Sequence, residues 1–274
     1  MEIKVLGRLS VSVGGSATVP TDQQVCRVLA LLALNADQVV PTCLIAHELW
    51  PDGLLPRSDS QVVTHVAAVR ALLAEALRHG HDRGTARTDG RDLLISTPGG
   101  YRLDSTGWQL DARRFERDLA AGYRAMAAGD PARASERLHD ALSLWQGEAL
   151  AGLPQGVPLR SHTARLEQAR ADAVEQWAAI ELQLGRHRER LGELGELAAR
   201  YPSHQGLQRH YIRALQRCGR SAEALRVYER LDAALRREGD AKMSLDLLRL
   251  RHRALSGGSR RVVAQREPLR VAAR

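Results

Sequence analysis

Two stretches of the chain, LGRHRERLGEL from Leu184 and CGRSAEALRVY from Cys218, align at an offset of 34 residues, matching at Gly185/Gly219, Arg186/Arg220, Glu189/Glu223 and Leu191/Leu225. A period of that length is one helix–turn–helix hairpin, a unit that cannot bury its apolar face alone and must stack on its neighbours. Gly185 reads as the turn between the two helices, with Ala178 seven residues before it and Pro202 seventeen after it. Arg190 falls where the pattern asks for a small residue. GDPARASERL from Gly129 is a third, looser copy with Ala134 at the small position, and its Asp130-Pro131 offers an N-cap followed by proline at the first helical position. From Asp111 onward apolar residues recur at helical spacing with no strand signal, so this half is expected to be all-α, broken at Gly147, at GLPQGVP and at Pro202.

The first 110 residues have a different texture. EIKVLGRLSVSVGGSATV, residues 2–19, alternates polar and apolar around Gly7 and Gly14-Gly15, which predicts two or three short antiparallel strands. Thr21 and Asp22 offer an N-cap to the helix QQVCRVLALLAL, ending near Asn35. Thr42 reads as the cap of CLIAHELW, a short second helix stopped by Pro51, and PDGLLPR as a loop. A third helix starts near Ser58 and ends between Arg78 and Gly80. Residues 79–92 are polar and unperiodic, hence a loop, and LLIST-PGG-YRLD predicts a hairpin. Strands, three helices and a hairpin in that order make a helix-turn-helix with a wing.

A chain of 274 residues has room for two domains, and 44% hydrophobic with 26% charged residues places it among water-soluble globular chains. With only 4% aromatic residues, its cores must rest on Leu, Val and Ala. The net charge of +8 invites a polyanion as partner, but residues 1–110 carry ten Lys and Arg against eleven Asp and Glu. Any nucleic-acid footprint there must come from local placement of side chains rather than overall basicity. The longest apolar run, Val28 to Leu34, is far short of the ~20 residues a bilayer requires, and the first residues lack a signal-peptide order. A cytoplasmic protein without membrane contact is expected. Cys26, Cys43 and Cys218 are scattered and read as small buried hydrophobes without a disulfide.

No phosphate-binding GxxxxGK[ST], nucleophile elbow or HExxH helix occurs. His79 and His81 read as surface histidines, and Glu193 with Glu196 as part of a salt-bridging helix face. No catalytic, cofactor-binding or metal-binding residue is expected, and the chain is not read as an enzyme. The third helix is more informative. Val62, Val66, Val69 and Leu73 form one apolar stripe, whereas Ser60, Gln61, Thr64, Ala67, Ala68 and Ala71 form a face with little bulk. A face so thin admits either a second helix or the DNA major groove, which is about 12 Å wide. The helix just upstream and the wing just downstream favour the groove. Gln61 could then pair with adenine N6/N7, Thr64 and Ala68 could lie against thymine methyls, and Arg57, His65 and Arg70 could meet phosphates.

Six segments carry a family resemblance: IKVLGRLSV, ELWPDGLLPRS, THVAAVRALL, TPGGYRLD, LDARRFER and LSLWQGEALAGLP. Taken in order over residues 2–256, they resemble the Streptomyces antibiotic regulatory proteins, in which an OmpR-type winged helix is joined to a bacterial transcriptional activation domain. The resemblance implies an α+β N-terminal winged helix-turn-helix (1–107) joined to an all-α tetratricopeptide-like domain (108–256), with a basic tail (257–274) that reads as disordered. It also implies a transcriptional activator that binds direct repeats of double-stranded DNA near promoters, forms a homo-oligomer there and recruits RNA polymerase holoenzyme for an antibiotic gene cluster. Trp50, His65, Arg70 and Tyr101 match positions used for DNA backbone contact in winged-helix relatives. Gln61 and Thr64 lie on the base-facing side. Ala67 and Ala68 stand where relatives often carry Arg or Ser, and Thr97 where the wing often carries a basic residue. The candidate interface is therefore Trp50, Arg57, Ser60, Gln61, Thr64, His65, Arg70, Thr97 and Tyr101. Two rivals share this order of elements. A response regulator would need a receiver domain, for which a winged helix starting at residue 2 leaves no room; a ligand-sensing or scaffold helical domain with a winged-helix output is the other.

Overall fold

The computed structural model describes residues 1–14, 16–18, 20–50, 59–79, 93–239 and 242–252. Arg57, the PDGLLPR loop, His81, the side chain of His79 and the tail 257–274 lie outside the described residues. The N-terminal elements are β1 (Glu2–Lys4), β2 (Ser10–Val13), β3 (Ser16–Thr18), α1 (Gln23–Leu34), β4 (Val39–Pro41), α2 (Thr42–Leu49), α3 (Asp59–His79), β5 (Leu94–Thr97), β6 (Gly100–Leu103) and β7 (Gln109–Leu110). The helical half contains α4 (Asp111–Ala127), α5 (Pro131–Ser143), α6 (Val157–Gln183), α7 (Leu191–Arg200), α8 (Gln205–Arg217) and α9 (Ser221–Arg237). A last helical stretch covers residues 245–252.

One sheet has the order β3-β2-β1-β7, antiparallel except for the β1–β7 pair, and the other the order β4-β6-β5. The β1–β3 strands and the β5–β6 hairpin fall where the alternation predicts them. Strands β4 and β7 do not, because each lies outside any longer alternating run and only the neighbouring strand defines it. Asp22 caps α1 as expected, its carboxylate accepting from the N–H groups of Gln24 (2.8 Å) and Val25 (3.2 Å). Thr42 does not cap α2. Pro41 occupies that position, and the Thr42 N–H instead donates to the Gly99 carbonyl at 3.0 Å. Of the three thiols Cys26 is buried as expected, but Cys43 is exposed on α2 and Cys218 is half-buried.

The chain divides into two compact units, Met1–Arg124 with Glu136–Arg170, and Ala125–Ser135 with Ala171–Arg274. The first unit continues past residue 107 because polar anchors bind the strands to α4 and to the turns after α5. The buried Asp111 carboxylate accepts from the N–H groups of Val5 (2.9 Å), Leu6 (3.0 Å) and Ala112 (2.8 Å). Burial pushes its pKa up, and those three donors work in the opposite direction. The Gln146 and Leu150 N–H groups add hydrogen bonds to the carbonyls of Leu6 and Val5, at 2.8 and 2.9 Å. Phe115 meets Trp145 edge-on at 5.4 Å, and the Arg170 guanidinium lies over the Trp145 ring at 4.3 Å.

In the second unit the 34-residue period takes physical form. Gly185 and Gly219 share φ = +77°, and Gly129 of the looser copy has φ = +75°. Each ends a helix in the left-handed region, where a side chain would be strained. Ala134 and Ala224 fill the small position and are fully buried, whereas Arg190 has a different answer. It pairs with the buried Glu181 carboxylate at 3.5 Å and lies over Trp177 at 5.8 Å; Arg186 and the Ser135 hydroxyl reach the same carboxylate. After α9, Leu247 inserts among Ile212, Leu215, Tyr228 and Leu231 and closes the last hairpin.

Gly219→Ala places a Cβ at positive φ and should lower stability by about 1–2 kcal/mol, read as a drop in melting temperature. His210 on α8 is held down to about 4 by burial first, then by Arg209 and Arg213, from an ordinary 6.5. Its neutral form is favoured by folding, so its contribution is present above pH 6.5 and is lost as pH falls towards 4. The loss is at most about 3 kcal/mol. Urea unfolding at pH 7 and pH 5 should show a smaller decline for His210→Gln than for the wild type.

Candidate nucleic-acid interface

The third helix buries the predicted stripe: Val62, Val66, Val69 and Leu73 are all inside, packed towards α1, α2 and β2. On the opposite side Ser60, Gln61, Thr64, Ala67 and Ala71 are exposed, and Ala68 is half-buried. Among the described residues no element of the first unit covers this thin face. The Thr64 hydroxyl donates to the Ser60 carbonyl one turn back, at 3.0 Å. Its hydroxyl proton is thereby engaged within the helix. Val63, which the stripe argument passes over, is 51% exposed. The hint in the sequence is the Val62-Val63 pair, since adjacent helical residues lie about 100° apart and only one of two can join the stripe.

The flanks of α3 are held from both sides. Trp50, at the end of α2, packs against His65 with ring centroids 6.2 Å apart, and both are half-buried. On the other flank the Arg70 guanidinium turns away from the outer face. Its Nε and Nη2 donate to the Leu94 carbonyl at 3.0 and 2.8 Å, and Nη2 also to the Ser96 hydroxyl at 2.9 Å. The same guanidinium lies 5.9 Å from the centre of the Tyr101 ring. Arg70 thus straps the wing strand β5 to α3. Tyr101 is buried, only 9% exposed, so it supports the wing from beneath, and the Thr97 hydroxyl is buried without a hydrogen-bond partner.

The wing itself is short. Pro98 and Gly99 make its turn, with Gly99 at φ = +79° and its carbonyl held by Thr42. Gly100 has no room for a side chain, because a Cβ there would run into the Val40 backbone of β4. Of the nine predicted residues, then, Ser60, Gln61 and Thr64 share the outer face of α3, and Trp50 and His65 flank it. Arg70, Thr97 and Tyr101 belong to the wing's attachment, and Arg57 lies outside the described residues.

Sequence reasoning missed Glu48. This carboxylate on α2 is completely buried and accepts from Arg27 Nε (3.1 Å) and from the N–H groups of Gly156 (2.6 Å) and Leu159 (3.0 Å) at the start of α6. A glutamate in a short helix ordinarily faces water, and only its place beside Ile45, Ala46 and Leu49 hints otherwise. Among the described residues no helix is long and apolar enough to cross a membrane, and no cluster of His, Cys, Asp and Glu could hold a metal ion.

A helix-turn-helix with a strapped wing, an exposed face on α3 and stacked helical hairpins defines a winged-helix transcriptional regulator. Residues 110–255 match the family model of the bacterial transcriptional activator domain. The chain is 34% identical to the regulatory protein DnrI of Streptomyces peucetius over 255 residues, 93% of this chain and 92% of that protein. It is 39% identical over 140 residues to the regulatory protein AfsR of Streptomyces griseus, which is 51% of this chain but 14% of that much longer protein. The solved structure of Mycobacterium tuberculosis EmbR in complex with a low affinity phosphopeptide is similar with a TM-score of 0.76 at 25% identity, covering 98% of this chain and 72% of that one. The chain belongs to the Streptomyces antibiotic regulatory protein family, and it is a DNA-binding transcriptional activator.

Arg70→Met keeps the aliphatic stem and removes the strap. The expected result is a roughly tenfold weaker DNA complex, with faster hydrogen exchange in β5 and little change in helix content. Wild-type affinity with unchanged wing protection would show that the strap has no part in binding.

Proposed function

We propose that the chain is a pathway-specific activator that binds direct repeats near a promoter and recruits RNA polymerase holoenzyme to a secondary-metabolite gene cluster. The observation that carries this reading is the exposed face formed by Ser60, Gln61 and Thr64, flanked by Trp50 and by the strapped wing. Gln61 is the group suited to adenine N6/N7, Thr64 lies against a base, and Arg57, His65 and Trp50 meet the backbone. One short half-site read by so few side chains binds weakly. Two protomers head to tail on tandem sites gain effective concentration, so a homo-oligomer on DNA is the working form.

The helical half, 108–256, offers its stacked hairpins as a surface for the neighbouring protomer or for polymerase, while the winged helix, 1–107, supplies the address. Binding alone accounts for this activity, with no catalytic step or cofactor, and its place is the cytoplasm, on the nucleoid. The similarity to DnrI and AfsR, both named regulatory proteins of Streptomyces, supports antibiotic gene clusters as the target.

Thr64→Glu sets a carboxylate against the phosphates while changing an exposed position. Affinity for the promoters flanking the protein's own gene, measured by footprinting, should fall at least about tenfold at unchanged melting temperature. Unchanged affinity would remove α3 from the interface.

A further inference from the structure

The flank of α3 between Val63 and Arg70 offers a partner more carbon than hydrogen-bonding capacity. Val63 is half in the open, and Ala67 is exposed one turn later on the same side of the helix. Thr64 has its hydroxyl proton committed to Ser60, and Arg70, the cation seven residues from Val63, is committed to Leu94 and Ser96. Polar readout on the flank between Val63 and Arg70 is therefore largely spent inside the protein. What remains there is an isopropyl group beside a methyl-sized neighbour that lets the helix backbone come close.

In the major groove one base carries an apolar group, the 5-methyl of thymine, and cytosine presents bare C5–H and an amino group in its place. We propose that Val63 is a specificity-determining residue that selects thymine by packing its isopropyl group on the 5-methyl. This rests on α3 being the recognition helix of the proposed activator. Ala67 contributes by its smallness, because a longer side chain there would hold Val63 away from the base. The neighbouring Gln61 lies towards the His65 flank and reads a different base pair, so an apolar and a hydrogen-bonded position stand side by side in each half-site.

The test uses the full chain and duplexes that it selects from a random pool. Each thymine of the selected site is replaced singly by deoxyuridine, which removes the methyl and leaves base pairing intact. Wild-type protein should lose about fourfold in affinity at one thymine per half-site, the effect of one methyl-sized burial. Val63→Ala should bind the parent duplex more weakly by a similar factor and should no longer distinguish thymine from uracil at that position. Val63→Thr, nearly the same shape with one methyl exchanged for a hydroxyl, should show an intermediate penalty. The absence of a uracil penalty at every thymine, or a penalty that survives in Val63→Ala, would overturn the assignment while leaving α3 as the DNA-binding helix. Failure of the wild type to select any sequence would instead overturn the proposed function and this inference with it.

Discussion

A carboxylate with no access to water fixes the relation between α2 and the start of α6. Burying an ion costs several kcal/mol unless its oxygens are satisfied, and Glu48 meets the condition with Arg27 and two backbone N–H groups at the start of α6. The positive end of the α6 dipole adds to the same balance. Gly156 belongs to this joint, because a Cβ there would lie 2.5 Å from the Glu48 carbonyl oxygen. Two residues beyond Glu48, Trp50 leans on His65 of α3. The start of α6, the end of α2 and the flank of α3 are thus set by one short run of residues.

A module held this way must address DNA without much help from net charge. Ten positive side chains against eleven negative ones in residues 1–110 give it little general attraction to a polyanion. Discrimination must then come from shape and from a few well-placed groups. The strap from Arg70 ties the wing strand β5 to α3. An arginine that could have neutralised a phosphate is used to hold geometry, which favours selectivity over raw affinity.

How much of this was legible in the sequence depends on the range of the interaction. The Val62–Leu73 stripe, the Asp22 cap and the left-handed glycines at 185 and 219 are local patterns, and each appears where the spacing puts it. Arg70 and Tyr101 read from the sequence as DNA backbone contacts; that Arg70 instead holds β5 was not visible, because only the fold brings Leu94 and Ser96 up to the guanidinium. Thr42 has the side chain of a cap, yet the wing turn takes its N–H and Pro41 stands at the helix boundary. Glu48 had only a local hint of burial: its partner Gly156 is 108 residues away, and nothing near it in the chain announces where its donors come from. Arg190 is the instructive departure. Where the repeat calls for a small residue, the mismatch is compensated by Glu181, which takes the place held by Leu215 in the next copy.

Three buried carboxylates, those of Glu48, Asp111 and Glu181, share a position in the architecture rather than in the sequence. Each lies where segments distant along the chain meet, and none lies within a regular pair of neighbouring strands. An apolar contact between two helices tolerates a slide of an ångström or so with small loss, because dispersion is non-directional. Glu48 and Asp111, whose donors stand near 3 Å in fixed directions, do not, since any slide leaves a buried acceptor short of a partner. Leu, Val and Ala supply the adhesion within each unit, and the acids supply register. For a DNA-binding regulator, register is what the apolar core alone would have left undetermined.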